Sequence, residues 1–154
     1  MHVRLALTAL LALAQEPALP ELNRRIVELV TAQQGRKVGR GECWDLAAYA
    51  LNGASAHWDG AYDLGRLIDP GKEHILPGDI LQFEGVVMEH RTANGMERYS
   101  FMKHTAVVIA VEEPGKVRIA HQNFGTAGRK VSTLDLQLAD LVEGELLFYR
   151  PKAE

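Results

Sequence analysis

Apolar and polar positions along the chain predict helices first and strands afterwards. After Pro20, apolar residues recur at the spacing of one buried helix face, at Leu22, Ile26, Leu29 and Val30, and Gly35 ends the pattern. A second helix is predicted over 42–51, with an apolar face of Leu46, Ala47, Ala50 and Leu51. Residues 54–73 hold Gly, Asp, His and Trp without a sustained period, which is typical of a surface loop.

The second half of the chain has the pattern of strands. A short strand from Ile80 to Phe83 is predicted after the turn sequence Leu76-Pro77-Gly78-Asp79. The strongest β run, 105–111, is expected to form a hairpin with 117–122, and a closing strand is predicted over 146–150. Helices followed by an antiparallel sheet indicate an α+β fold.

Two connecting segments complete this prediction. The polar residues 89–97 are expected to separate the strand at 80–83 from a second apolar segment at 99–102. The sequence Ser132-Thr133-Leu134-Asp135 resembles the N-terminal cap of a short helix.

Length and charge narrow the class of protein. A chain of 154 residues with 47% hydrophobic residues predicts one globular domain with a single core. A net charge of -3, with only the short basic cluster Arg36, Lys37 and Arg40, argues against a nucleic-acid partner, because phosphate binding needs a concentrated basic surface.

The first residues have the pattern of an export signal. Arg4 precedes an apolar run from Leu5 to Leu13, and Ala12-Leu13-Ala14 supplies small residues at a cleavage spacing. We therefore predict a signal peptide at 1–14, a single mature domain at 15–154, and a secreted or periplasmic location. The run is too short to span a bilayer, and no second apolar stretch follows, so no membrane span is expected after cleavage. An ordinary N-terminal helix is the alternative.

Cys43 is the only cysteine, so no intramolecular disulfide can form. It follows the glycine-rich stretch 35–41 and begins the second predicted helix, where free backbone N–H groups and the helix dipole stabilise an anion. A thiol placed there is expected to be partly ionised near neutral pH. The alternative is a small buried apolar residue.

The hairpin brings polar side chains together. If Pro114 and Gly115 are its central turn residues, His104 shares a sheet face with His121 and Asn123. In this simple register Asn123 is diagonal to His104 and closer than His121, although a bulge could exchange their roles.

These residue types fit nucleophilic catalysis. A thiolate attacks an amide carbonyl, a histidine moves the proton, and a third polar group fixes the imidazole tautomer. Taken singly, each polar residue could instead be an ordinary polar group at a strand end. The other histidines, His57, His74 and His90, lack the short spacings of a metal site, and 35–41 lacks the ending of a phosphate loop, so neither a metal nor a cofactor is expected.

Four motifs in order resemble the CHAP family of cysteine, histidine-dependent amidohydrolases and peptidases, and the related NlpC-type cell-wall peptidases. They are Gly41-Glu42-Cys43-Trp44-Asp45-Leu46, Leu76-Pro77-Gly78-Asp79-Ile80 followed by Phe83, His104-Thr105-Ala106-Val107-Val108, and Ile119-Ala120-His121-Gln122-Asn123. The resemblance implies a papain-like α+β fold, with N-terminal helices packed on a small antiparallel sheet or half-barrel. It also implies Cys43 as nucleophile and His104 as general base.

One position departs from the CHAP pattern. CHAP proteins usually have a glutamate two residues before an asparagine, where this chain has His121 before Asn123, while NlpC-type enzymes use a histidine as the third polar residue. Either His121 or Asn123 could therefore orient His104.

The resemblance implies a secreted cysteine amidase or peptidase that acts on peptidoglycan peptides or small peptides. Aromatic residues that could line its cleft are Trp44, Trp58, Tyr62 and Phe124. The alternative is a non-catalytic module that binds the cell wall or a glycan.

Overall fold

Two helices precede the sheet, as the apolar spacing predicts. The structure, a computed structural model, describes residues 18–154, with helix α1 at Glu21–Thr31 and helix α2 at Cys43–Gly53. The predicted apolar faces are buried, with no exposed area at Ile26, Val30, Leu46 or Leu51. Both helix predictions are confirmed. The predicted signal peptide at 1–14 lies outside the described residues, and none of the helices within 18–154 is long and apolar enough to cross a membrane.

Six antiparallel strands form one sheet in the spatial order β1-β6-β2-β3-β4-β5. The strands are β1 Arg66–Ile68, β2 Ile80–Thr92, β3 Gly95–Glu113, β4 Lys116–His121, β5 Ser132–Gln137 and β6 Leu141–Arg150. Single 3-10 turns lie at Gly125–Ala127 and Leu138–Asp140. Two helices with a six-stranded antiparallel sheet confirm the α+β prediction.

The polar segment 89–97 does not interrupt the sheet, contrary to the prediction. Strands β2 and β3 stay paired up to Thr92 and Gly95 at the hairpin tip. Polar side chains on this hairpin pair across the strands, for example Arg98 with Glu89. A strand pair that projects into water can be polar on both faces, so a loss of apolar alternation does not mark its end.

The segment 132–137 is also different from the prediction. It forms strand β5, paired along its whole length with β4 from His121–Ser132 to Lys116–Gln137. Leu134 and Leu136 turn toward the apolar core, while the intervening positions are exposed. The open edge of β4 supplies hydrogen-bonding partners for this segment, and tertiary pairing therefore outweighs the local capping pattern. Strand β1 similarly lies within the predicted loop 54–73.

The two faces of the sheet carry separate apolar clusters. Because neighbouring residues of a strand point to opposite faces, Val107 and Ala120 pack with the helices, whereas Ala106 and Ile119 pack in the second cluster. Phe83, Phe101 and Phe124 belong to or border this second cluster.

Strand β3 contains two single-residue irregularities opposite β4. Glu113 pairs with Lys116 near the turn, as the simple register predicts, but shifts at Val111/Glu113 and Val108/Ala110 change the register before Val107 pairs with Ala120. Each shift moves the register by one residue, so together they preserve which residues share a face.

The Leu76-Pro77-Gly78-Asp79 motif joins the helices to the sheet. The fully buried Asp79 carboxylate accepts hydrogen bonds from Asn23 Nδ2 (3.0 Å) and from Arg150 Nε (3.0 Å) and Nη2 (2.8 Å). Gly78 has φ +87°, and a Cβ there would lie 2.5 Å from the Asn23 carbonyl oxygen. This motif is therefore a structural anchor between α1, β2 and β6.

Candidate active site

Cys43 is the first residue of α2 and its side chain is partly exposed. The turn before it is held by Asp45, whose carboxylate accepts the backbone N–H groups of Arg40 (2.8 Å) and Glu42 (3.2 Å). Burial alone would raise the pKa of Asp45, but these backbone hydrogen bonds outweigh it and lower that pKa below its ordinary value. The helix start is thus ordered around an ionised carboxylate, and Cys43 is neither buried nor fully exposed.

Gln122 connects this turn to the end of β4. Its side chain has no exposed area. Its Oε1 accepts the Val38 N–H at 2.7 Å, and its Nε2 donates to the carbonyl oxygens of Val38 (3.2 Å) and Glu42 (3.0 Å). Because Gln122 follows His121, these three bonds fix the segment that carries the thiol relative to that histidine.

Asn123 does not contact His104. It has a left-handed backbone conformation (φ +59°), and its Nδ2 donates to Glu42 Oε2 at 2.9 Å. Arg129 Nη1 donates to the other oxygen of Glu42 at 2.6 Å. Asn123 therefore does not take the position expected from the simple register, because β4 ends at His121 and the chain turns away after it.

His121 is the residue that contacts His104. His104 Nε2 and His121 Nδ1 lie 3.0 Å apart, with exposed fractions of 6% and 1%. Aromatic rings surround the pair: the Phe101 centroid lies 5.0 Å from that of His104, and the Phe124 centroid 5.1 Å from that of His121. His121, and not Asn123, is therefore the partner of His104, which is the alternative that a bulge in the hairpin allows.

Both imidazoles are held in the neutral form. Burial lowers the pKa of His104 to about 3, with a further contribution from His121, and burial lowers the pKa of His121 to about 4. Within a neutral pair one ring donates and the other accepts. If His104 Nε2–H donates, its Nδ1 has a free lone pair and can accept a proton.

That remaining nitrogen is not fully buried and has no partner among the described residues. His104 Nδ1 has no hydrogen-bond partner within residues 18–154, and over the same residues the only fully buried side-chain nitrogen or oxygen without a partner is Asn23 Oδ1. Nor does any hydrogen bond within 18–154 join the Cys43 thiol to either ring. Catalytic contacts are often loose before substrate binds.

Two clefts, of about 360 and 700 Å³, lie elsewhere on the surface. The smaller is bordered by His90, Tyr99 and Asp140, the larger by Ile75, Pro114 and Leu138, and neither includes Cys43 or His104. Within 18–154 no three His, Cys, Asp or Glu side chains are grouped as metal ligands.

Residues 18–154 match the family described as AIM3/BBC1 Cysteine proteinase-fold domain. The chain belongs to this family. It is similar to Altered inheritance of mitochondria protein 3 of Debaryomyces hansenii, with 30% identity over 138 residues. The match covers 77% of this chain but only 15% of that relative, so the chain spans a small part of the relative's length.

One solved structure, described as The crystal structure of Ly7917, has a TM-score of 0.48 and 19% sequence identity over 82% of this chain and 62% of its own. The family match confirms the expectation of a cysteine-proteinase fold. The match is to the AIM3/BBC1 family and does not show membership in the CHAP or NlpC-type families.

Sequence reasoning missed the roles of Gln122 and Asp45 in holding the thiol-bearing turn. A signal for Gln122 was available: it has the same strand parity as Ala120, and this parity directs its side chain toward the helices. A polar residue at such a position needs buried partners, and the turn before α2 supplies them.

Proposed function

We propose that this chain is a cysteine-dependent amidohydrolase or peptidase. Cys43 is the nucleophile, His104 is the general base, and His121 orients His104. The observation that carries the proposal is the 3.0 Å hydrogen bond between His104 Nε2 and His121 Nδ1, formed beside the segment that Gln122 ties to the Cys43 turn.

The reaction follows from the free ring nitrogen. His104 Nδ1 takes the thiol proton while the Cys43 sulfur bonds to the amide carbon, and the same proton then passes to the leaving amine as the C–N bond breaks. Water, deprotonated by the same nitrogen, hydrolyses the resulting thioester and releases the acid. The Cys43 backbone N–H at the helix start is placed to stabilise the developing oxyanion.

His121 has two tasks in this scheme. By accepting the His104 Nε2–H, it leaves the Nδ1 lone pair of His104 free to take a proton. It also lets the transient positive charge on His104 be shared within a hydrogen bond, although both rings are buried. Since the pKa of His104 is lowered to about 3, the base is unprotonated at neutral pH, before the thiol gives up its proton.

The finer proposal concerns substrate and place of action. The resemblance to cell-wall peptidases supports peptidoglycan peptides as substrates and export as the route to them. Small synthetic peptides test amide hydrolysis by Cys43 without assuming that peptidoglycan is the substrate.

The experiment compares wild type, Cys43→Ser and Cys43→Ala on synthetic peptides and on purified peptidoglycan, with released amines measured. We expect hydrolysis by wild type only, with loss of about 10³-fold or more in the variants. No amine release by wild type on any of these substrates would refute the proposal.

A non-catalytic binding module is the second candidate. The observation in its favour is that no hydrogen bond within 18–154 joins the thiol to either buried imidazole. Retention of peptidoglycan by wild type and Cys43→Ala alike, without released amines, is the result that would favour it.

A further inference from the structure

The loop between α2 and β1 is ordered by contacts beside the thiol. Trp44, which follows Cys43, donates its indole N–H to the Ala61 carbonyl oxygen at 2.8 Å. Its ring lies 5.8 Å from that of Trp58, and Asp59 Oδ1 accepts the Ala61 N–H at 2.8 Å. The loop is therefore tied to the first turn of α2.

The far side of this loop touches the strand that carries the base. Lys103, which precedes His104, holds its ammonium nitrogen 4.1 Å from the centroid of the Tyr62 ring. The residues next to the thiol and next to the imidazole are thus joined through Ala61 and Tyr62.

Lys103 has an aromatic partner where a carboxylate would be expected. Its cross-strand neighbour is Glu84, yet the Glu84 carboxylate accepts from Gln82 Nε2 at 3.1 Å, and no ion pair within 18–154 includes Lys103. A cation over an exposed ring gains only about 0.5–1 kcal/mol. The Lys103 ammonium group can therefore leave the ring at low cost and donate a charge-assisted hydrogen bond to a carboxylate.

The surface around this cation is open. Tyr62 is 46% exposed and Met102, next to Lys103, is 83% exposed. An exposed aromatic ring in contact with one cation suits a peptide that carries an acidic group beside apolar surface.

We propose that Tyr62 and Lys103 form a subsite that binds a carboxylate of the substrate peptide close to the scissile bond. This inference rests on the proposed function and adds its substrate class, peptides with an acidic residue.

The test measures binding without turnover, in the Cys43→Ala background. Fluorescein-labelled octapeptide pools carry Glu or Gln at one position at a time, and affinity is read by fluorescence polarisation. At one position we expect the Glu pool to bind about fivefold tighter than the Gln pool, less so at high salt.

Two further substitutions make the test specific. Lys103→Met should abolish the preference, while Lys72→Met, which removes an exposed lysine paired with Asp69, should retain it. Trp44 and Trp58 are the only tryptophans of the chain, so their fluorescence should change as the Glu pool binds.

Equal binding of Glu and Gln pools, a preference that survives Lys103→Met, or no binding at any position would overturn the subsite. A Lys103-dependent preference without amine release by wild type would leave the subsite standing and remove the hydrolase. Amine release by wild type without a Lys103-dependent preference would leave the hydrolase standing and remove the subsite.

Discussion

Two pairs of side chains, each containing a histidine, show how position sets the chemistry of an imidazole. His90 on β2 lies 2.8 Å from Asp140 through its Nδ1, with side chains 40% and 20% exposed. His104 lies 3.0 Å from a second imidazole, His121, with 6% and 1% exposed. The first pair has a carboxylate and water nearby, and the second has aromatic rings.

The difference lies in what happens to an added proton. Burial beside another imidazole disfavours the charged imidazolium at His104. At the His104–His121 pair a proton is stabilised only when an anion forms with it, and a thiolate at Cys43 would be such an anion. The buried pair is therefore suited to brief proton transfer, and the exposed pair to a surface contact.

The largest expected effect is on peptide hydrolysis, which should depend on the His104–His121 pair and not on the His90–Asp140 pair. His104→Gln should lower kcat/KM for peptide hydrolysis by about 10³-fold, because the proton acceptor is lost. His90→Gln serves as the matched control and should stay within about twofold. Steady-state kinetics on one peptide measures both, and an equal loss in the two variants would contradict the assignment of the base.

A second change tests whether His121 orients its neighbour. His121→Leu should lower kcat by about 100-fold, since His104 loses the partner that fixes its tautomer. His121→Asn, which can still accept a hydrogen bond, should recover part of the loss. The ring ¹⁵N shifts of His104 check the tautomer independently, and unchanged shifts in His121→Leu would show that His121 only fills space.

A further prediction concerns stability against acid. A histidine in the unfolded chain has a pKa of about 6.5, while His104 and His121 have folded pKa values of about 3 and 4. Both rings are neutral in either state above pH 6.5, so their burial has no pH-dependent cost there. As the pH falls below 6.5, the unfolded chain binds protons that the folded chain does not, and stability decreases until the folded values are reached.

Two such groups predict a loss of about 2.7 kcal/mol per pH unit between roughly pH 6 and 4, from about 1.36 kcal/mol for each proton. Urea unfolding at stepped pH measures the slope. The double variant His104→Gln/His121→Gln should show a shallower slope. A wild-type slope in the double variant would mean that the rings are not held neutral.

The sequence predicts the helices well and the sheet less completely. Burial of one face imposes a 3.6-residue period on α1 and α2, and that period is visible without the structure. The outer half of the β2–β3 hairpin has no apolar alternation to detect, and β5 depends on the open edge of β4, a partner distant in sequence.

The candidate site shows the same division. The position of Cys43 before an apolar helix face, and the shared face of His104 and His121, follow from local patterns. The choice of His121 over Asn123 depends on two bulges in β3, and the tie made by Gln122 depends on a turn far away in the chain. Neither is determined by neighbouring residues alone.

The paired irregularities in β3 limit how this hairpin can change in length. Removal of one extra residue, such as Ile109, would reverse the face of every earlier β3 side chain relative to the hairpin turn and send His104 to the side opposite His121. Removal of two would restore the pairing of faces. Insertions and deletions between these histidines should therefore be tolerated in even numbers, a rule that variants of this hairpin can display.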